Sequence, residues 1–545
     1  MNLTAWMLVL TVVMPLAMLL ACSWKSLRDQ MLAWLPLGAL PGLITAFVAT
    51  RGESWVFGSP RFPLAFAMDR PGGALLGVAA LLWLAGGWYA AAYQAKATTS
   101  ARARFCVCWL MTLTACLGIF VVADMVSLYA LLGLLSVGTT GLVMFESSPR
   151  ALWAGKIYLA MALLAESLLL AGFVLIVTGT PGKSLLIADA PAAIAASAWR
   201  DPILVLLIIG FGIKAGMVPL HFWIPLAHGA APVPASAMLS GAVVKASVIG
   251  LIRFIPFDAV PWAIGATVAA VGLFGALYAV LIGITQRHPK TVLAYSSVSQ
   301  MGVIIGIIGM GMAAGDMSAG LIAAYYAVNH VLSKGALFMA VGVVAETGRQ
   351  RLWTILVPVA FLAVGLGGLP LSGGALTKSV AKNLLGDGPA GVLATLSAIG
   401  TTVLMLHFLR CLKGFATQDG RVRAAAGLRW PWLLMATASL FVPWALYLSS
   451  PSYSLPDALS PYALWSAMWP IMVGIVLAMM LVKWKQGLPE IPEGDVVVLV
   501  APLWRALAKA VSGVAVRADA ALRRWPVAGP VFLGLLLAFA LMVRI

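Results

Sequence analysis

Acidic side chains are scarce in this sequence, with 18 Asp and Glu against 35 Lys and Arg in 545 residues. Charged residues of both signs make up 10% of the chain, where a soluble domain carries roughly 25%. So little charge, with 62% apolar residues and a mean hydropathy of +1.01, excludes a soluble globule and makes the bilayer the solvent. No polar stretch is long enough for a large soluble catalytic domain, so no catalytic chemistry of its own is expected. The net charge of +17 falls in short clusters between apolar runs, which excludes nucleic-acid binding by a basic domain. Cysteine is sparse too. Cys22, Cys106, Cys108, Cys116 and Cys411 are odd in number and lie in or beside apolar runs, so no disulfide framework is expected. Cys106 and Cys108 are one residue apart with no His nearby, which is not zinc spacing; neither a metal site nor a cofactor is expected.

What is there is apolar sequence in long runs. Bounded by charges, Gly and Pro, these runs predict an all-α polytopic membrane protein of about sixteen spanning helices. They lie near 3–22, 31–49, 71–93, 104–123, 125–145, 152–179, 202–228, 231–256, 260–284, 291–311, 318–345, 352–385, 390–412, 431–449, 464–482 and 526–543. The first run has no basic segment before it and reads as a retained span. Counted over alternate loops, twenty-three Lys and Arg fall on one side and eight on the other. The positive-inside rule then puts both termini on the non-cytoplasmic side of a bacterial inner membrane. Residues 50–70 suit either a short hairpin or an ordered loop on the outer face. Residues 484–525 mix apolar side chains with Arg505, Lys509, Arg517, Arg523 and Arg524, as a lateral amphipathic helix on the membrane face would.

Four lysines, Lys214, Lys245, Lys334 and Lys378, and one acid, Glu166, fall inside the apolar runs. Each costs about 2.5–3.5 kcal/mol at the centre of a bilayer, so each needs a reason to be there. Two of the lysines stand beside helix breakers. Pro219 and Pro225 are expected to interrupt the seventh span next to Lys214, and Pro370, Gly373 and Gly374 the twelfth next to Lys378. Backbone groups freed at such breaks need protein or water, so wet cavities are expected there. Lys214 and Lys378 are 164 residues apart, and Glu166 and Lys334 are 168 apart. Paired broken helices at a fixed interval point to inverted repeats, spans 4–8 and spans 9–13. The expected organisation is spans 1–3 in residues 1–103, the repeats in 104–256 and 260–412, spans 14–15 in 413–483, the lateral segment in 484–525 and a last span in 526–545. Hydrated amines passing protons to one another make a proton wire with coupled titration. His330, four residues from Lys334 on the same face, is the best further relay candidate; His407, His221 and His228 also lie in or next to spans.

Five segments carry a family resemblance. They are Lys214-Ala-Gly-Met-Val-Pro-Leu-His-Phe-Trp-Ile-Pro-Leu-Ala-His228, Ala231-Pro-Val-Pro-Ala-Ser-Ala-Met-Leu-Ser-Gly-Ala-Val-Val-Lys245 and Pro289-Lys-Thr-Val-Leu-Ala-Tyr-Ser-Ser-Val-Ser-Gln-Met-Gly302. Asn329-His-Val-Leu-Ser-Lys-Gly-Ala-Leu-Phe338 and Gly368-Leu-Pro-Leu-Ser-Gly-Gly-Ala-Leu-Thr-Lys378 complete the set. Over about residues 104–412 the sequence resembles the antiporter-like subunits of respiratory complex I, Mrp antiporters, membrane-bound hydrogenases and Dab-type inorganic-carbon transporters. The resemblance implies two inverted five-helix repeats and proton passage through buried Lys and Glu. It puts Lys214 and Lys245 at the central lysines of helices seven and eight, Lys378 at the exit-side position of helix twelve and Lys334 on helix eleven. The layout is similar to the distal complex I subunit, with a short lateral helix. Where the family has Trp-Glu in the fifth helix this chain has Leu132-Gly133, and Glu166 on the next helix is the expected substitute partner of Lys214. Leu226 replaces the family's Asp.

The expected function is proton translocation as one subunit of a larger membrane complex, with any redox centre in the partner subunits. Three alternatives stay open: the membrane subunit of a Dab-type complex energising a cytoplasmic zinc enzyme, an Mrp-type Na+/H+ antiporter subunit, and a non-conducting scaffold. Sodium stays open as the ion.

Overall fold

The computed structural model describes residues 3–49, 52, 54–59, 62–179, 183–417, 420, 422–483, 491–495 and 497. The expected last span and all of the lateral segment except 491–495 and 497 lie outside these residues. The chain divides into two units, 1–493 and 494–545. In the second, the Val497 amide donates to Gly494 O at 2.6 Å.

The first unit is a bundle of apolar helices. It opens with α1 (Leu3–Ala21), α2 (Lys25–Trp34), α3 (Leu40–Val48), α4 (Arg70–Tyr93), α5 (Thr99–Val121), α6 (Met125–Val143) and α7 (Pro149–Thr178). A short α8 (Ala190–Ala196) precedes α9 (Arg200–Ala215), α10 (Trp223–Ala230), α11 (Val233–Met238) and α12 (Lys245–Phe254). Then come α13 (Trp262–Gly283), α14 (Pro289–Ala314), α15 (Ala319–Ala345), α16 (Trp353–Gly367), α17 (Gly373–Leu385), α18 (Pro389–Lys413), α19 (Ala426–Leu448), α20 (Leu455–Leu459) and α21 (Pro461–Lys483). Thirteen helical segments among the described residues are long and apolar enough to cross a membrane, and two more of the expected spans are split into half-helices. This is a multi-pass integral membrane protein.

Polar residues in the sequence set the helix starts. Asp69, Thr98, Asp124 and Ser148 each accept the amide three residues on, at α4, α5, α6 and α7. Asp124 is fully buried and also accepts the Ala65 amide at 2.9 Å. That bond ties α6 to an antiparallel hairpin of β1 (Ser54–Ser59) and β2 (Phe62–Ala67), so the hairpin alternative for residues 50–70 is the one observed. Arg253 closes the same end: its guanidinium donates to Asp69 and to the carbonyls of Ile119, Phe120 and Val122, which end α5.

At the centre, residues 289–309 of α14 and 326–344 of α15 are all buried. Glycine lets α13 lie against α14 at backbone distance, because a Cβ on Gly302 or Gly309 would fall within van der Waals contact of the Gly272 or Ala269 backbone. Small residues at such a seam are how apolar helices gain packing when lipid competes equally for their side chains.

The helix breaks decide where polar atoms can sit. Helix α9 ends in a left-handed Gly216 (φ +77°), with Met217 N bonding Gly212 O and Gly216 N bonding Ile213 O, the paired bonds of a Schellman stop. The Val218–Pro219 peptide is cis. Pro225 is not part of this break. It sits in the first turn of α10, where a missing N–H leaves no helix bond unmade. The other break spans Gly368 (φ +107°) to Ser372 and contains Pro370. Gly373 and Gly374, expected within it, are instead the first two residues of α17. A side chain on Gly374 would collide with Gly365 O, so glycine is what allows α16 and α17 to overlap there. A third interruption was not expected: Leu239–Val243 forms a π turn between α11 and α12, immediately before Lys245.

Candidate functional site

The expected residues gather mainly along a buried polar row through these breaks. At one end, α6, α7 and α9 bring Ser136, Glu166 and Lys214 together. Lys214 Nζ donates to Glu166 Oε1 at 2.9 Å and to Ser136 Oγ at 3.1 Å, and Ser136 Oγ donates to the same carboxylate oxygen at 2.5 Å. Both charged side chains are 10% exposed. The carboxylate thus reaches Lys214 from α7, while α6, which carries Leu132-Gly133 in place of an acid, contributes a hydroxyl one turn later. The break beside Lys214 is closed chemically as well as sterically, for Trp223 Nε1 donates to Ile213 O at 2.8 Å. A void of about 20 Å³ separates Lys214 from Val243 and Ala246 beside Lys245, room for about one water.

Lys245 is fully buried. Its amine donates to Ser240 O at 3.0 Å, a carbonyl in the π turn, and meets His330 Nδ1 in a direct hydrogen bond. An amine and an imidazole nitrogen can bond only if one of them holds the proton and the other offers a lone pair, so this contact shares a single proton. His330 Nε2 has no hydrogen-bond partner among the described residues. One turn along α15, Lys334 Nζ donates to Leu293 O at 2.9 Å and to Ser296 Oγ. The ring of His228 stacks on Phe338, with centroids 5.1 Å apart, and neither ring nitrogen has a hydrogen-bond partner among the described residues. His221 is buried edge-on to Tyr278 and Tyr295.

Toward α17, Tyr326 donates to Gln300 Oε1 at 2.9 Å, and Gln300 Nε2 donates to Thr401 Oγ1 at 3.1 Å. Lys378 Nζ donates at 2.5 Å to Gly367 O, the carbonyl freed where α16 stops. Lys378 and Tyr326 both line a cavity of about 420 Å³ beside the second break. His407 is not in the row. It lies near the end of α18, bonded to Gln286 O at 2.7 Å and beside Cys411 Sγ.

Charge scanning missed two groups. Lys290, counted as a loop residue, is buried in the first turn of α14 and donates to Ala231 O at 2.6 Å. Pro289 at the first helical position was the available signal. Ser136, Ser296, Gln300, Tyr326 and Thr401 are neutral and left no signal in a search for charge. Just outside the span, burial and then the Lys290 ammonium hold His288 down to about 4. The ring is therefore neutral at neutral pH, and its Nδ1 accepts the Lys290 amide as the cap of α14. Among the described residues no three His, Cys, Asp or Glu come together as a metal site, and the five cysteines are free thiols.

Residues 122–378, which hold every buried lysine of the row, match the family described as NADH:quinone oxidoreductase/Mrp antiporter, TM. Those residues belong to this family. Among curated relatives, the putative antiporter subunit mnhA2 of Staphylococcus saprophyticus is 32% identical over 325 residues, which cover 55% of this chain and 40% of that protein. NADH-quinone oxidoreductase subunit N of Desulforudis audaxviator is 28% identical over 390 residues, covering 67% of this chain and 75% of the relative. This antiporter-like chain therefore spans less than half of the mnhA2 protein and most of subunit N. Its fold is that of a chain in the Mrp complex from Dietzia sp. DQ12-45-1b, with a TM-score of 0.74 at 22% identity over 100% of this chain and 63% of the other.

Proposed function

We propose that this chain conducts protons as the antiporter-like subunit of a multi-subunit membrane complex, in a bacterial inner membrane with both termini on the non-cytoplasmic side. Glu166, Lys214, Lys245, Lys334 and Lys378 are the relay, with His330 bridging Lys245 toward Lys334 and His228 beside them. The observation that carries this reading is the row itself: amines and imidazoles that outnumber the carboxylates, two of the amines, Lys245 and Lys378, seated on carbonyls at helix interruptions. One carboxylate cannot neutralise the four amines of the relay, so some of them hold and release protons as their neighbours change charge.

In this reading the two broken helices belong to inverted repeats in 104–256 and 260–412, and the partner subunits hold whatever chemistry drives the flow. Protons fit the geometry better than sodium, because the position beside Glu166 and Ser136 where a cation would sit is filled by the Lys214 ammonium. Relatives named a putative antiporter subunit and an NADH-quinone oxidoreductase subunit support the class of complex. The test is proton uptake into vesicles carrying the complex purified with its co-purifying subunits. Lys214→Met is expected to reduce uptake at least tenfold with assembly intact. Wild-type uptake in that variant would mean a scaffold.

A further inference from the structure

Residues 491–493, beyond α21, lie across the starts of two helices. Glu493 Oε2 accepts Arg150 Nη2 at 2.5 Å from the first turn of α7, and its Oε1 accepts Thr291 Oγ1 at 2.7 Å from the first turn of α14. Two residues earlier, Ile491 O accepts Gln286 Nε2 at 2.9 Å, and Gln286 is buried just past α13. A further helix end meets them. A Cβ on Gly229, near the end of α10, would fall 2.8 Å from Arg150 Nη2, 3.4 Å from Glu493 Oε2 and 3.5 Å from Thr291 Oγ1. The buried row begins directly beneath. Lys290, next to Thr291, donates to Ala231 O, and His228, next to Gly229, lies within electrostatic reach of Lys290, Lys245 and Lys334 alike. Exposure falls in the same direction: the Arg150 side chain is 52% exposed, that of Glu493 27%, and Thr291 is fully buried.

We infer that residues 491–493 are a latch over the entrance to the row, held shut by Glu493 on Arg150 and Thr291 and opened when that side chain swings away. The inference rests on the relay reading and names the device that regulates access to it. Two observations favour a latch over a proton carrier or a fixed brace. Both carboxylate oxygens accept from donors outside the relay, so in this arrangement Glu493 covers the row and hands nothing to it. The three bonds that hold the strap to the bundle each run through a side chain, and the charged one has a half-exposed partner. An exposed pair of that kind favours the closed state by about fivefold or less, so opening is accessible during turnover.

The experiment uses the complex purified with its co-purifying subunits and reads two quantities. Acetylation of Lys290 by a water-soluble reagent, followed by mass spectrometry of the digested chain, reports whether the cover is open. Proton uptake into vesicles reports whether the cover lies on the path. Glu493→Ala is expected to speed Lys290 labelling about fivefold, the size of an exposed ion pair, with uptake at or above wild type. In Arg150→Cys/Glu493→Cys, a bis-methanethiosulfonate bridge should cut uptake about tenfold, and dithiothreitol, which cleaves the bridge, should restore it. Each single cysteine variant treated with the same reagent should be unaffected. Unchanged Lys290 labelling in Glu493→Ala, a fall in uptake in that variant, or full uptake through the bridged protein would each overturn the latch. Wild-type uptake in Lys214→Met would remove the relay and the latch with it, whereas a latch that fails while Lys214→Met is inactive leaves the relay standing.

Discussion

Lys245→Met in the assembled complex is expected to cut proton uptake about a hundredfold, equivalent to roughly 2.7 kcal/mol on the limiting barrier. Methionine keeps the length and apolar stem of the side chain, so α12 should still pack. What disappears is the group that meets both Ser240 O and His330 Nδ1. Those two atoms are left buried without their partner, at about 1–3 kcal/mol each, and a water drawn in to satisfy them cannot hold a proton as an amine does. Lys245→Arg separates charge from relay. The guanidinium keeps the positive charge but does not deprotonate, so it should be nearly as inactive as the methionine. Uptake that survives both variants would sever Lys245 from the path and leave it a structural anchor for the π turn.

The second expectation concerns coupling between Glu166 and Lys214. Glu166→Gln retains an oxygen for Ser136 but removes the charge opposite a lysine that is 10% exposed. Breaking a buried pair from one side costs about 3–5 kcal/mol, so the variant should unfold at a lower temperature in detergent. Adding Lys214→Met should restore most of that loss, because the double variant has no orphaned charge. Proton uptake should stay low in both. A thermodynamic cycle over the two singles and the double therefore dissociates stability from transport, with an interaction of about 1–3 kcal/mol expected in stability. Strict additivity would mean that the two side chains do not sense one another, and the relay would lose its first link.

Much of this arrangement was legible in the residues, for identifiable reasons. A buried lysine is expensive enough that its sequence neighbourhood has to supply a partner, and the Gly and Pro flanking Lys214 and Lys378 marked where carbonyls would come free. Proline alone is ambiguous. Pro219 breaks a helix while Pro225 starts one, and only the position of the neighbouring turn distinguishes them. The π turn was illegible because Leu239-Ser-Gly-Ala-Val243 carries the composition of an ordinary helix. Its extra residue is held by tertiary packing, including Leu82 seated where Gly241 lacks a side chain. Lys290 was hidden by a boundary error of a single turn, and the neutral links at Ser136, Ser296, Gln300 and Tyr326 were hidden because hydroxyls and amides cost too little in an apolar run to stand out.

That π turn gives α12 its aim. Each residue of a regular helix advances the side chains by about 100°, so one residue more or fewer upstream rotates everything after it by that angle. Between Leu239 and Val243 the surplus residue is what points the Lys245 amine at His330 and, at the same time, exposes the Ser240 carbonyl that receives it. A chain one residue shorter here would keep its hydrophobicity, its length as a span and every ionisable group, and still carry that amine facing the wrong helix. The aim of the proposed relay is thus encoded partly as a count of backbone units, something no inventory of side chains contains.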